Sequence, residues 1–398
     1  MEKILEAYGL NGKVLSAAPF GNGHINDTIL LKLNEEGAAQ LGGASFGSSS
    51  RKGSAFTDAA AKLQYQVVLQ KINKYVFKKP WELMDNAVRI TDHLRRKIAE
   101  NGGDVSRETL TFYPTLNGES FTVAPDGEYW RLVAYIDGAT CYDEVSGEKI
   151  FREAARGFGR FQRYLSDFPA DSLYETIPDF HNTRSRFDNL MAAAVTGSAI
   201  PSGSAAGASC NTTIFAAPSR AENAAKEIAF YKEREHYADF EAEEYKKGSL
   251  KLRVTHNDTK LNNVMIDDVT GKALCVLDLD TVMPGFAIND FGDAIRFGAS
   301  TAAEDETDLS KVELSVSMYK AFEEGFLEEI GDSLTDSELK LMPAGARNII
   351  FEQGMRFLTD YLMGDVYFKV NYPEHNLVRA RTHIKLLEEV ERKWDLLK

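Results

Sequence analysis

Four polar residues, His256, Asp258, Lys260 and Asn263, fall within the short stretch THNDTKLNN, and Asp278 follows in VLDLD. Their types suit phosphoryl transfer, which needs few covalent steps and much management of charge. One carboxylate must orient and deprotonate an attacking hydroxyl, a role that suits Asp258. Oxygen ligands must hold the Mg²⁺ that screens the phosphates, which suits Asn263 and Asp278. Lys260, two residues after Asp258, is placed to neutralise a phosphoryl group in transit. His256 reads as a brace for the loop rather than a base.

The elements around these residues explain how they would meet. Val264–Ile266 is an apolar run; Asp267, Asp268 and Gly271 are turn formers; a second apolar run from Ala273 to Leu277 ends at Asp278. That pattern predicts a β-hairpin with polar residues at both ends. An antiparallel hairpin returns the chain to its start, so Asn263 and Asp278 are expected to share one ion, with Asp280 supporting the metal or the acceptor. Asp290-Phe291-Gly292 lies well past the hairpin exit and is not read as the metal motif.

His-x-Asp-x-Lys-x-x-Asn, then a hairpin and an aspartate, resembles the catalytic loop and metal segment of the protein-kinase-like superfamily. HNDTKLNN followed by VLDLDTVMPG is more similar to the aminoglycoside phosphotransferase and choline kinase branch, and most similar to its N-acetylhexosamine 1-kinases. The resemblance implies an α+β, bilobal protein-kinase-like fold with a β-rich N-lobe and a mainly helical C-lobe. It implies ATP and Mg²⁺ as cofactors and the anomeric hydroxyl of GlcNAc or GalNAc as the acceptor. Kinase-like families carry an aspartate near position 290, which implies that Asp290 supports the loop from a following helix. No activation segment ending in Ala-Pro-Glu is present, which disfavours a protein kinase.

Upstream, KVLSAAPF, GNGHINDT and ILLKLN read as strand, glycine loop and strand. Gly21 and Gly23 let the backbone approach phosphates, and His24 at the tip is placed to reach the transferring phosphate or the substrate. YQVVLQKI (65–72) fits the third strand. It departs from the protein-kinase pattern by placing either Gln70 or, one residue on, Lys71 in the slot of the ATP-binding lysine; the two point to opposite faces. PWELMDNAVRITDHLRRKIAE predicts a helix from Pro80, stopped by Asn101-Gly102-Gly103. Tyr135 to Gly138 after YWRLVAYIDG occupies the position of an adenine-holding hinge, with Tyr135 and Asp137 as nucleotide contacts. The boundary is therefore drawn between an N-lobe of residues 1–137 and a C-lobe of 138–398.

Phe151, Ala154, Ala155, Phe158, Phe161 and Leu165 form an apolar stripe at helical spacing, which is core. Residues 179–187, DFHNTRSRF, are polar and aromatic together. Residues 222–247 predict a charged, solvated helix, while 35–61 and 196–219 are rich in Ala, Gly and Ser and read as loops. Near the end, Arg356, Asp360, Asp365, Tyr367, His375 and Asn376 are denser in hydrogen-bonding groups than a plain helix pair needs. GMRFLTDYL and GDVYFK resemble the C-terminal part of N-acetylhexosamine 1-kinases, which implies that Arg356 and Tyr367 help to bind the sugar.

The net charge of −14 argues against nucleic acid or an anionic membrane as partner. Three cysteines, Cys141, Cys210 and Cys275, at unrelated spacings suggest neither a disulfide framework nor a zinc site. With no long apolar run, a cytoplasmic location with access to ATP is expected. Two other readings stay open: a kinase of the same fold acting on an aminoglycoside, choline or another sugar, and a non-catalytic nucleotide-binding protein.

Overall fold

The computed structural model describes residues 1–21, 26–42, 65–196 and 218–398. They divide into two compact units. The first is Met1–Thr140 together with Asp267–Thr270 and Leu274–Asp280; the second is Cys141–Ile266, Gly271–Ala273 and Thr281–Lys398. The architecture is the expected α+β one, with a sheet in the N-terminal region and mainly helices in the C-terminal region.

The first unit runs α1 (Glu2–Ala7), β1 (Val14–Pro19), β2 (Asp27–Leu33), α2 (Glu35–Gln40), β3 (Tyr65–Ile72), α3 (Pro80–Glu100), β4 (Phe112–Tyr113), β5 (Thr122–Val123), β6 (Tyr129–Ala134) and β7 (Ala139–Thr140). Its main sheet is antiparallel in the order β1-β2-β3-β6-β4, with β5 also on β6. The two-residue alternation of a strand decides its faces. Val67 and Leu69 of β3 turn into a core with Tyr8, Leu31, Leu33 and Leu132. Gln70 therefore faces the other way, opposite Thr28 on β2 and Arg131 on β6.

Helix α3 has the expected bounds. Pro80 opens it, where a missing N–H costs nothing, and Leu83, Met84, Ala87, Ile90 and Leu94 are buried. Residues 35–40, expected as loop, are instead the helix α2. Asn34 caps it by accepting the N–H of Gly37 at 2.8 Å, and two glutamates occupy its first turn. A capped start outweighed the small-residue composition. Residues 43–61 of that loop reading, and 197–217 of the other, lie outside the described residues.

The second unit contains α4 (Glu148–Tyr164), α5 (Thr183–Thr196), α6 (Pro218–Asn223), α7 (Ala225–Glu233), α8 (Phe240–Lys246), β8 (Arg253–Thr255), most of β9 (Val264–Asp267), β11 (Met283–Gly285), α9 (Ala287–Gly298), α10 (Val316–Ile330), α11 (Asp336–Leu362), α12 (His375–Arg392) and α13 (Trp394–Leu397). The hairpin's return strand β10 (Ala273–Val276) begins here and continues into the first unit. The apolar stripe of α4 is buried throughout, at roughly 1.5–3 kcal/mol per fully buried phenylalanine.

The single helix expected over 222–247 is broken into α6, α7, a short 3₁₀ turn at Glu235–Tyr237 and α8. Arg234, at the break that ends α7, stacks over Phe230 and forks onto Glu391 at 2.8 and 2.9 Å. The segment is also less solvated than its charge implies: Glu227, Tyr231 and Glu241 are buried. Long-range pairing, invisible to periodicity, set these ends.

Candidate active site

The loop after β8 is held from several sides. Asn257 adopts a left-handed conformation at φ 64°, and its side chain donates to the carbonyl of Thr281 at 2.8 Å while accepting from Thr255 Oγ1 at 3.0 Å. Thr281 Oγ1 in turn donates to the carbonyl of His256 at 2.7 Å. His256 is fully buried, edge-on to Phe158 and Phe161 of the α4 stripe, and its Nδ1 accepts the amide of Asp258 at 3.3 Å. It is the brace its position suggested.

Helix α9 supplies the second hold. Asp290 accepts the N–H groups of His256 and Asn257 at 2.8 and 2.7 Å, and Asp293 accepts that of Thr259 at 2.9 Å. Thr259 Oγ1 closes on the carbonyl of Asp290 at 2.6 Å. The neighbouring Phe291 is buried against Tyr319, Phe322 and Phe326. Gly292 lies where a Cβ would meet the carbonyl oxygen of Gly345 on α11 at 2.7 Å. Asp290-Phe291-Gly292 is thus a brace, a core residue and a close helix contact.

What the loop presents is Asp258. Lys260 Nζ lies 2.7 Å from its Oδ1, and Asn263 Nδ2 donates to its carbonyl at 2.8 Å and to Oδ2 at 3.2 Å. The Asp258 side chain keeps 20% exposure and that of Lys260 38%. Burial works against the charge of Lys260, but the Asp258 carboxylate more than offsets it and holds the ammonium above the usual lysine range. With its nitrogen committed to Asp258, Asn263 offers Oδ1 as a ligand atom. Among the described residues no group of three or more His, Cys, Asp or Glu side chains converges on a metal position. The amide oxygen of Asn263 is a hard donor of the kind Mg²⁺ takes.

Within the first unit, Asp278 is left-handed at φ 52°. Two residues on, Asp280 is 2% exposed; its Oδ1 accepts from Arg131 Nη1 at 2.5 Å and its Oδ2 from Asn26 Nδ2 at 2.7 Å. Gln70 Oε1 accepts from Arg131 Nη2 and Nε at 2.6 and 2.9 Å. Lys71, on the other face, pairs with Asp27, which raises its pKa. Gly21, at φ 77°, lines a cavity of about 610 Å³ with Phe20, Asn26, Asp27 and Thr28. Gly23 and His24 lie outside the described residues. Tyr135 meets Phe20 edge-on at 5.9 Å, and the carbonyl of Asp137 accepts from Arg107 Nη2 at 3.0 Å.

The C-terminal cluster separates into two parts. Asp360 accepts the amides of Val366, Tyr367 and Phe368 and the side chain of Asn376, all at 2.8–2.9 Å. Asp365 accepts from Arg220 at 2.8 Å and from Asn376 at 3.0 Å, and His375 pairs with Asp305 at 2.9 Å. These groups shape the loop. Arg356 and Tyr367 do come together: the guanidinium lies 5.9 Å from the Tyr367 ring, 5.4 Å from Phe180 and 5.6 Å from Phe368, and Tyr367 is 57% exposed.

Sequence reasoning missed Arg131, Asn26, Asn257 and Asp293. Arg131 had a signal, a lone arginine inside the apolar strand YWRLVAY; the others look like ordinary turn and helix residues.

Residues 53–314 match the model of the phosphotransferase enzyme family. Among solved structures, the chain is similar to a microcompartment-associated aminopropanol kinase (14% identity, TM-score 0.58, covering 99% of this chain and 96% of that one). It is also similar to choline kinase from Cryptosporidium parvum (11%, TM-score 0.51, 96% and 91%). A third is an amicoumacin kinase in complex with AMP-PNP and Ca²⁺ (12%, TM-score 0.50, 96% and 89%).

Proposed function

Because this chain belongs to the phosphotransferase enzyme family, we propose that it is an ATP-dependent small-molecule kinase that phosphorylates the anomeric hydroxyl of an N-acetylhexosamine. The observation that carries the reading is Asp258, half-buried and held by Lys260 and Asn263 on a loop clamped to Asp290 and Asp293.

In this reading Asp258 accepts the proton of the acceptor hydroxyl as its oxygen attacks the γ-phosphorus in line, and Lys260 balances charge beside it. Asn263 and Asp278 would be the residues to hold Mg²⁺, which would screen the phosphate charge. Gly21 and the segment Tyr135–Asp137 contact the nucleotide, as ATP analogue and divalent ion are bound together in the similar amicoumacin kinase. For the acceptor, Arg356 and Tyr367 offer a cation and an exposed ring, a combination that suits a neutral, hydroxyl-rich ligand. A cationic acceptor such as choline or an aminoglycoside would be repelled by Arg356.

The test is ADP release with ATP and Mg²⁺ across GlcNAc, GalNAc, glucose, galactose, choline and kanamycin, with ³¹P NMR of the product. A sugar 1-phosphate formed from an N-acetylhexosamine supports the reading, and turnover confined to choline or kanamycin overturns the acceptor. Asp258→Asn is expected to lower kcat by roughly 10²–10⁴-fold with nucleotide affinity retained.

A further inference from the structure

The sheet of the first unit carries an arrangement that the proposed reaction does not by itself require. Arg131 is 3% exposed and opposite Gln70 across the β3–β6 ladder. Its guanidinium makes two hydrogen bonds to Gln70 Oε1 and one to Asp280 Oδ1, with Met84 Sδ at 3.7 Å and the Phe112 ring at 5.6 Å closing the space around it. Gln70 is itself fixed by donating to Thr28 Oγ1 at 3.3 Å. Asp280 is fixed on its other oxygen by Asn26, whose Oδ1 accepts the N–H of Asn73 at 2.9 Å. A continuous chain of hydrogen bonds thus runs from β2 through β3 and β6 to Asp280.

Gln70 occupies the face that carries this network, and the adjacent Lys71 points to the opposite face toward Asp27. A lysine at position 70 would set a second cation against the Arg131 guanidinium, where Gln70 now offers an acceptor. Asp280 follows Asp278 by two residues, and Asp278 sits in a left-handed conformation that a non-glycine residue holds only when its surroundings impose it.

We propose that Arg131, oriented by Gln70, is the positioning residue that anchors Asp280 and thereby sets the conformation of the Asp278 carboxylate for a Mg²⁺-bound nucleotide. The Gln70–Arg131 pair stands in place of a strand lysine, and neither Gln70 nor Lys71 is the direct phosphate contact. This rests on the kinase reading above.

Arg131 and Asp280 are both buried, so removing either strands a charge and reports on folding. Gln70 is half-buried and serves as the test. Binding of a fluorescent ATP analogue is titrated against Mg²⁺ for wild type, Gln70→Met, Gln70→Lys and Gln70→Glu, with melting temperature and the acceptor KM measured beside it. Loss of the oxygen in Gln70→Met, or its replacement by a cation in Gln70→Lys, should weaken Mg²⁺-dependent nucleotide binding about 10–100-fold with the acceptor KM unchanged. Gln70→Glu, which keeps the acceptor for Arg131, should rescue it. If Gln70→Lys binds the nucleotide as well as wild type or better, the inference is overturned. It also fails if Gln70→Met loses melting temperature and acceptor affinity together with nucleotide. A wild type that binds nucleotide while all variants match it refutes only this inference; a wild type that binds none at any Mg²⁺ concentration refutes the kinase reading beneath it.

Discussion

Asp290 Oδ1 accepts the amide of Asn257 at 2.7 Å, and Asn257 is the left-handed residue immediately before Asp258. One carboxylate on α9 therefore sets the backbone from which the proposed base projects. Its other oxygen takes the amide of His256 and the side chain of Gln162.

Removing this carboxylate should disturb chemistry as well as folding. Asp290→Ala leaves two buried N–H groups without acceptors, each costing about 1–3 kcal/mol. The expected result is a lower melting temperature and a reduced kcat, with nucleotide affinity less affected. Asp290→Asn turns a donor toward one of those amides and should restore little of either.

Gly292→Ala tests the helix contact. The new methyl would lie 2.7 Å from the carbonyl oxygen and 2.9 Å from the carbonyl carbon of Gly345, backbone atoms that cannot turn aside. Overpacking of this kind costs roughly 1–3 kcal/mol, read by denaturant unfolding. Gly331→Ala, whose methyl would meet only Leu327 Cβ at 4.0 Å, is the control expected to change little.

Glu241 should make stability depend on pH. It is 6% exposed, and burial, reinforced by Glu352, pushes its pKa up to about 7, against the opposing bonds from Asn348 and Asn289. A carboxyl that ionises less readily when folded adds stability below its unfolded pKa and loses it as pH rises toward the folded value. Between about pH 4.5 and 7 this group alone should withdraw on the order of 2–3 kcal/mol. Glu241→Gln, a mimic of the protonated form, should flatten that slope and exceed wild-type stability at pH 8 in chemical denaturation.

Asp360 is the clamp of the loop that carries Tyr367. Asp360→Ala removes the acceptor of three backbone amides and of Asn376. Hydrogen exchange of residues 364–370 should accelerate while α9 stays protected. If Tyr367 binds the acceptor, the acceptor KM should rise with the nucleotide KM unchanged.

Much of the candidate site was legible because its logic is local. His256, Asp258, Lys260 and Asn263 lie on one short loop, and a hairpin with turn formers at 267–271 follows from alternation and turn chemistry. Asp290 was readable as a brace only through the resemblance to kinase-like families, in which an aspartate near this position supports the loop. The stripe of α4 was readable because 3.6-residue periodicity marks a buried face directly. Faces within β3 followed from alternation alone, which put Gln70 and Lys71 on opposite sides.

Partners distant in sequence could not be read that way. Which of those two faces carried the polar network depended on Arg131, sixty-one positions away, and on Asp280, beyond that again. The break at Arg234 depended on Glu391, and the elevated pKa of Glu241 on burial beside Glu352. The crowded polar groups after Arg356 looked alike in one dimension. Only folding decided that Asp360 would spend its oxygens on backbone amides while Arg356 and Tyr367 came together at the surface. Residue types and spacing determined the chemistry on offer, since that is a property of side chains along a few turns. Tertiary structure decided which groups remain for a ligand, because each buried hydrogen bond and ion pair removes a donor or acceptor that the sequence shows as available.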